Sequence, residues 1–300
     1  MKTLIKPYYL KVYYVKFRVM TLRDIKRGWL RSLDIIGDIA VIEVKPEFDE
    51  IKHEIAEKIL KEAKYIKVVV EKKSPVSGEH RVMDLEWLAG ERRFTTIHRE
   101  YGCIFKLDIS KVYFTPRLST ERMRIARMVR AGEVIVNMFA GIGTYSIIIA
   151  KRALEKPSKI YSIDINPHAY NYALENVKIN KVEDIVIPIL GDAKEVITSR
   201  LMGVADRVLM PYPELALKYL EYAIMALKDS GGIIHSYDFI KYMKTEDPRN
   251  KMKERYEEKL KEFNVEYEIL DIRRTGEVAP REYRMVIDIK ILNKNGFKRF

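Results

Sequence analysis

The sequence predicts an α/β protein: a mostly parallel sheet with helices on both faces, closed by a C-terminal antiparallel hairpin and preceded by a smaller α+β module. Three observations carry this. From about residue 117, apolar runs (VIVNMF, IYSIDI, IVIPIL, DRVLMP, GGIIHSYD) recur every 25–30 residues with helical patterns between them. Strands alternating with helices build parallel sheets. The stretch at about 265–292 (VEYEILDIRRTG…REYRMVIDIKIL) reads as two long strands, and SLDIIGDIAVIEV upstream alternates about a Gly37-Asp38 turn, the mark of a hairpin.

The elements follow in order. Residues 1–28 form a basic–aromatic segment. Through residue 31 it carries nine Lys or Arg against one acid, Asp24, interleaved with Tyr8, Tyr9, Tyr13, Tyr14, Phe17 and Trp29. Cations beside stacking rings suit a nucleic-acid surface, RNA especially, as does the net charge of +12. The plainer reading is a basic edge strand. Residues 29–112 read as a small α+β domain: the hairpin, an amphipathic helix at about 48–63, the strand YIKVVVEK, the loop SPVSGEH, and further strands from RVMDLEWLAG to YGCIFKLDIS.

Hydrophobic residues make up 47% of the 300, enough for a sizeable core. A single cysteine, Cys103, excludes an intrachain disulfide and suggests a reducing compartment. No secretory signal is legible. The longest apolar passage, VIVNMFAGIGTYSIIIA, is broken by polar residues and glycines, so a membrane span is not expected. The five histidines show no metal-ligand spacing, and His235 reads as a satisfied core residue.

The chemistry concentrates in the third region. Gly141 and Gly143 follow the first strand and allow a tight turn whose backbone approaches a ligand. IYSIDINPHA ends the second strand at Asp164, placed to accept from two ribose hydroxyls, and LGDAKEV sets Asp192 after the third strand, near an adenine edge. No Lys-Ser/Thr phosphate loop follows the glycines, which disfavours ATP or GTP. This three-point grip looks like that of a class I S-adenosylmethionine-dependent methyltransferase, so residues 113–300 are expected to form its Rossmann-like, S-adenosylmethionine-binding sheet.

VYFTPRLSTER (112–122), followed by GEVIVNMFAGIG, resembles the archaeal and eukaryotic tRNA guanosine-37 N1-methyltransferases, whose sister group comprises the wybutosine-pathway aminocarboxypropyl- and C7-methyltransferases. SLDIIGDIAVIEV, GEHRVMDLEWLAGE, SIDINPHAYNYALENVKIN and GGIIHSYD fall in the same family order, so the likeness covers nearly the whole chain from about residue 29. The resemblance implies methyl transfer to N1 of guanosine 37, with Glu121 as base and Arg81 as the cation at O6. Guanine N1 becomes a nucleophile only when its proton leaves, and O6 then carries the developing charge. It implies Tyr113, Arg122, Pro211, Tyr212 and Pro213 around an everted base, and Arg117, Asn137, Phe139, Ile165, Ala193 and Met210 beside the glycines and aspartates around the cofactor. Structural roles compete: Thr115-Pro116 suits a helix start, Glu121 suits a first turn, and Arg122 suits a solvated face.

The chain departs from the family pattern at Asn137, where an aspartate is usual, and at Pro211-Tyr212-Pro213-Glu214, where an Asn-Leu-Pro-like turn is usual. Asparagine can still accept from the cofactor's ammonium, whereas Pro211 has no donor. The second departure keeps open the alternative, C7 methylation or aminocarboxypropyl transfer on the tricyclic base at position 37. About 28 residues ahead of the shared module are too few for the separate tRNA-elbow domain that methylating members often add. The expectation is a monomeric cytoplasmic enzyme acting on the tRNA anticodon stem-loop, without metal or membrane.

Overall fold

The computed structural model describes residues 21–73 and 83–297. Most of the basic–aromatic segment (1–20), the loop SPVSGEH and Arg81 lie outside the described residues.

The remainder of the basic segment is helix α1 (Leu22–Trp29), not an edge strand. A capping box explains this: Thr21 Oγ1 accepts from Asp24 N, and the Asp24 carboxylate accepts from Thr21 N. Strands β1 (Leu30–Ile36) and β2 (Ile39–Val44) form the expected hairpin, with Gly37 at φ +60°. A Cβ there would meet Ile97 O at 2.6 Å, so the turn needs glycine for space as well as conformation. Pro46–Ile51 coils as a 3-10 turn, and α2 (Lys52–Glu62) follows, shorter than the span read from periodicity. Strands β3 (Val68–Lys72) and β4 (Leu85–Gly90) complete a four-stranded sheet of order β1-β2-β3-β4.

Both faces of this sheet are covered. Ala40, Ile42 and Val69 pack with Ile25, Ile55 and Ile59 of the two helices. Ile39, Val41, Val68 and Val70 face the other way, into a core shared with residues beyond position 100. That is why VVV at 68–70 is wholly buried.

Strands β5 (Thr95–Glu100) and β6 (Cys103–Asp108) form a separate two-stranded sheet. Helix α5 (Pro167–Ile179) serves as the partner of β6: Asn176 Oδ1 accepts from Lys106 N at 2.7 Å, Asn180 Oδ1 accepts from Ile104 N at 2.9 Å, and both amides donate back to those residues' carbonyls. One helical turn spans about 5.4 Å and two strand residues about 6.7 Å, near enough for two asparagines four apart to satisfy alternate strand positions. The edge of β6 is thereby closed.

The large sheet has order β12-β13-β11-β10-β7-β8-β9. Strands β7 (Val134–Asn137), β8 (Lys159–Asp164), β9 (Val186–Leu190), β10 (Arg207–Met210) and β11 (Gly232–Lys241) run parallel, while β12 (Glu266–Ala279) and β13 (Glu282–Asn293) form the expected antiparallel hairpin. Helix α3 (Ser119–Met128) enters β7, and α4 (Thr144–Arg152) follows it, with every residue from Thr144 to Ala150 buried. A helix apolar all round lies inside the core, here between α3, β6 and the sheet. Three short helices, α6 (Ala193–Val196), α7 (Pro213–Ala216) and α8 (Leu220–Ala226), connect later strands, and α9 (Pro248–Phe263) lays Met252, Tyr256, Leu260 and Phe263 on the sheet. Strand order reverses between β7 and β10, so the loops at their carboxyl ends diverge and open a crevice. Among the described residues, no helix is long and apolar enough to cross a membrane.

Candidate functional site

Two carboxylates and a glycine turn organise the crevice. Beyond β7, Met138 N donates to Leu209 O and Ala140 N to Ile163 O, tying the turn to the strands on either side. Gly141 then adopts φ +56° and donates its N–H to Asp164 Oδ2 at 2.6 Å. Asp164 Oδ1 accepts from Asn166 N at 2.9 Å, while the Asn166 side chain caps α5 through His168 N. Asp192 Oδ1 caps α6 through Lys194 N, and its Oδ2 accepts from Tyr219 Oη at 2.9 Å.

Around these groups lies a cavity of about 690 Å³, part of it open to solvent. Phe139, Gly141, Asp164, Ile165, Asp192 and Ala193, expected at the cofactor, line it, and so do Tyr113, Pro211 and Tyr212, expected at the substrate base, together with Met138, Asn166, Ala169, Gly191, Leu215 and Tyr219. Phe139 meets Tyr212 and Tyr219 edge-on at 5.3 and 5.5 Å, forming an aromatic wall. Apolar Ile165, Ala169, Ala193 and Leu215 suit a flat base, and carboxylates at the ends of β8 and β9 suit hydroxyl and amino donors. Among the described residues, no Lys or Arg lines the cavity, which fits a nucleoside better than a polyphosphate.

Four residues expected at the cofactor stand elsewhere. Arg117 is half exposed, and its Nε pairs at 2.8 Å with Asp34 on β1, the edge strand of the small sheet. Gly143, at φ +85°, is the N-cap of α4, where its carbonyl accepts from Ile147 N. Met210 is fully buried in the apolar cluster with Ala216 and Leu220, because strand alternation turns it off the cavity face. Asn137 is buried behind the cavity wall; its Nδ2 donates to Ser146 Oγ at 3.2 Å, and its Oδ1 has no partner among the described residues.

A narrower slot, about 260 Å³ including space open to solvent, adjoins the cavity and shares Tyr113 and Pro211 with it. Pro213, also expected at the substrate, lines the slot, with Leu118, Tyr237, Phe239 and Arg284. Glu121 lines neither space. It is buried one hydrogen bond behind the slot: Tyr237 Oη donates to Glu121 Oε1 at 2.8 Å. Arg124 holds the same carboxylate through Nη2 at 2.7 Å and Nε at 2.9 Å.

From Arg124 a buried chain of charges crosses the sheet. Arg124 Nη1 donates to Asp288 Oδ2 at 2.6 Å, Asp288 Oδ1 meets His235 Nδ1 at 2.6 Å, and His235 Nε2 meets Arg207 Nη1 at 2.6 Å. Arg207 in turn pairs with Glu133. Guanidinium only donates, so Nε2 accepts and the neutral ring donates Nδ1–H to Asp288. Burial depresses the His235 pKa, in keeping with that neutral ring. Burial alone would raise the Asp288 carboxyl, but hydrogen bonds from His235 and Arg124 hold it below the ordinary carboxylate range.

Arg122 departs from expectation. It is neither solvated nor in the slot: Nη1 pairs with Glu100 at 2.6 Å, Nη2 donates to Thr115 O at 2.7 Å, and the guanidinium lies over Phe114. One helical step of 100° separates it from Glu121 and aims it into a different part of the core. Tyr237, Phe239, Arg284, Leu215 and Tyr219 were not singled out from sequence. Tyr237 and Phe239 share a strand face two residues apart within GGIIHSYDF, which is the signal that could have found them.

Residues 96–266 match the family described as TRM5/TYW2 methyltransferase domain, and residues 18–93 match TYW2 N-terminal domain. The chain is 42% identical over 269 residues to tRNA (guanine(37)-N(1))-methyltransferase Trm5b of Pyrococcus abyssi, covering 90% of this chain and 77% of that protein. It is 39% identical over 284 residues to tRNA 4-demethylwyosine(37)-methyltransferase Taw21 of Saccharolobus solfataricus, covering 92% of this chain and 99% of that one. Among solved structures, the complex of aTrm5 and tRNALeu superposes with a TM-score of 0.76 at 38% identity, covering 90% of this chain and 74% of that one. Methanocaldococcus jannaschii Trm5 in complex with adenosine superposes at 0.73 and 35% identity, covering 91% and 76%. With more than half of its residues inside the matched domain and relatives aligned along nearly its whole length, the chain belongs to the TRM5/TYW2 methyltransferase family.

Proposed function

We propose that the protein transfers a methyl group from S-adenosylmethionine to N1 of guanosine 37 in the anticodon loop of tRNA. The observation that carries this is the shared wall: Tyr113 and Pro211 border both the nucleoside-shaped cavity and the slot that leads to Glu121. The names of the Pyrococcus abyssi relative and of the tRNA-bound structure point to the same substrate.

The residues present fit the cofactor. Asp164 would take the ribose hydroxyls, Asp192 and Tyr219 would border the adenine edge, and the aromatic wall would cover the sulfonium. Bound there, S-adenosylmethionine supplies an electrophilic methyl on a sulfonium. The chain's own residues supply the rest. Tyr113 and Pro211 hold the base edge toward the cavity, Tyr237 and Phe239 back the slot, and Glu121 is the terminal acceptor of the N1 proton. Arg284 is a cation already at the slot, and Arg81, outside the described residues, is the family-implied partner of O6. Mass spectrometry of nucleoside 37, after incubating unmodified tRNA transcript with protein and cofactor, tests this. N1-methylguanosine with S-adenosylhomocysteine is expected; an unmodified nucleoside 37 refutes it.

One observation favours a second reading, C7 methylation of the tricyclic base. Pro211-Tyr212-Pro213 offers an aromatic ring and two prolines where an amide is usual. Transcript carrying 4-demethylwyosine, methylated while guanosine 37 is not, would select it. Methylthioadenosine as co-product would mark aminocarboxypropyl transfer instead.

A further inference from the structure

Glu121 is the expected base, yet it touches neither the cavity nor the slot. Among the described residues its carboxylate has two side-chain partners, Arg124 and Tyr237, and only Tyr237 lines the slot. A proton leaving a base in the slot therefore has one hydrogen-bonded way to that carboxylate. We infer that Tyr237 relays the proton between the target nitrogen and Glu121. The inference rests on the N1-methylation reading and names the residue that makes its chemistry reach the base.

The step balances as follows. The N1–H proton passes to Tyr237 Oη while the proton already on Oη passes to Glu121 Oε1. The N1 electron pair forms the bond to the methyl carbon, and the carbon–sulfur bond breaks with its electrons going to sulfur. The products are N1-methylguanosine, S-adenosylhomocysteine and protonated Glu121, which returns the proton to solvent after product release.

Two features suit Tyr237 to this exchange. Burial raises its phenol well above the ordinary tyrosine range, so the hydroxyl stays protonated and works by accepting and giving at once. The groups facing it are Glu121 and Arg124 from α3, Tyr145 from α4 at 6.0 Å between rings, and Arg284 from β13 across the slot. Arg124 also holds Asp288, so protonating Glu121 does not strand a buried guanidinium.

The test is Tyr237→Phe in the full chain, which removes one oxygen without changing the ring. Single-turnover methyl transfer at saturating cofactor and tRNA, measured from pH 6 to 9, is expected to fall about 10²-fold near neutrality, the scale of a positioned acid–base group. The deficit should shrink as pH rises, because solvent hydroxide then takes the N1 proton unaided. Calorimetric affinity for S-adenosylmethionine should not move. A wild-type rate, or a loss equal at every pH, overturns the relay. Should the variant not fold, a proton inventory of the wild-type rate in mixed light and heavy water decides: a curve for two protons in flight is expected, and a straight line for one refutes it. Wild-type protein that leaves guanosine 37 unmodified would sink the proposed function itself, whereas active wild type with an unimpaired variant sinks the relay alone.

Discussion

Replacing Glu121 with Gln separates chemistry from architecture at this site. The native carboxylate accepts three hydrogen bonds, two from Arg124 at 2.7 and 2.9 Å and one from Tyr237 at 2.8 Å. Glutamine keeps one accepting oxygen and turns an NH2 toward a guanidinium that can only donate. As proton acceptor the amide fails, so single-turnover methylation should fall 10²–10⁴-fold, or about 3–5 kcal/mol of barrier. Breaking a buried pair costs about 3–5 kcal/mol, and the lower end applies because Arg124 keeps Asp288. At roughly 2 °C per kcal/mol for a chain of this size, the melting temperature should drop about 6 °C. Neither cavity wall is touched, so calorimetric affinity for S-adenosylmethionine should be retained. Rapid-quench methyl transfer, calorimetry and thermal melting measure the three quantities. Near-native turnover would remove Glu121 from the chemistry, and cofactor affinity falling in step with turnover would reassign it to structure.

The remaining expectations follow from individual contacts. Asp164→Ala removes the acceptor of Gly141 N and Asn166 N as well as the proposed ribose contact, so cofactor affinity should fall on the order of 10²-fold, and unchanged affinity in calorimetry would refute the grip. Burial, and then the charge of Arg122, holds the His98 ring down at about 4 from an ordinary 6.5. Its Nδ1 accepts from Gly37 N, which requires the ring to be unprotonated at that nitrogen. A depressed folded pKa means stability present above pH 6.5 and lost as pH falls through 4; 2.5 units at 1.36 kcal/mol each is about 3 kcal/mol. His98→Gln should flatten the melting profile over that window, and an unchanged slope would refute the assignment. Asp238 runs oppositely: burial, only partly offset by Arg255, pushes its carboxyl up to about 6 from 3.8. A raised folded pKa favours the fold below 3.8 and loses that contribution as pH rises through 6, again about 3 kcal/mol. Asp238→Asn should therefore melt higher than wild type at pH 8 and equally near pH 4; a constant difference would contradict the burial argument.

What was legible from sequence is the part governed by neighbours along the chain. The two-residue turn at Gly37-Asp38, the alternation of strands and helices, and the terminal hairpin all follow from local pattern. So do Gly141, Asp164 and Asp192, because the carboxyl ends of parallel strands converge wherever such a sheet is built. Helix α1 was missed because a capping box outweighs the charge pattern of its segment. The two asparagines that close β6 were missed because nothing local to 176 and 180 names strand residues 70 and 76 positions away.

By itself, then, the sequence determined the type of sheet, the cavity made by its glycine turn and aspartates, and the family. Tertiary structure alone decided which charges face which space. Arg117 is spent on Asp34 and Arg122 on Glu100, while Glu121, among the described residues, reaches the slot only through Tyr237, 116 residues later. The physical reason is that burying a charge is costly unless a partner meets it, and which partner meets it is settled by packing between elements that the chain's order does not bring together.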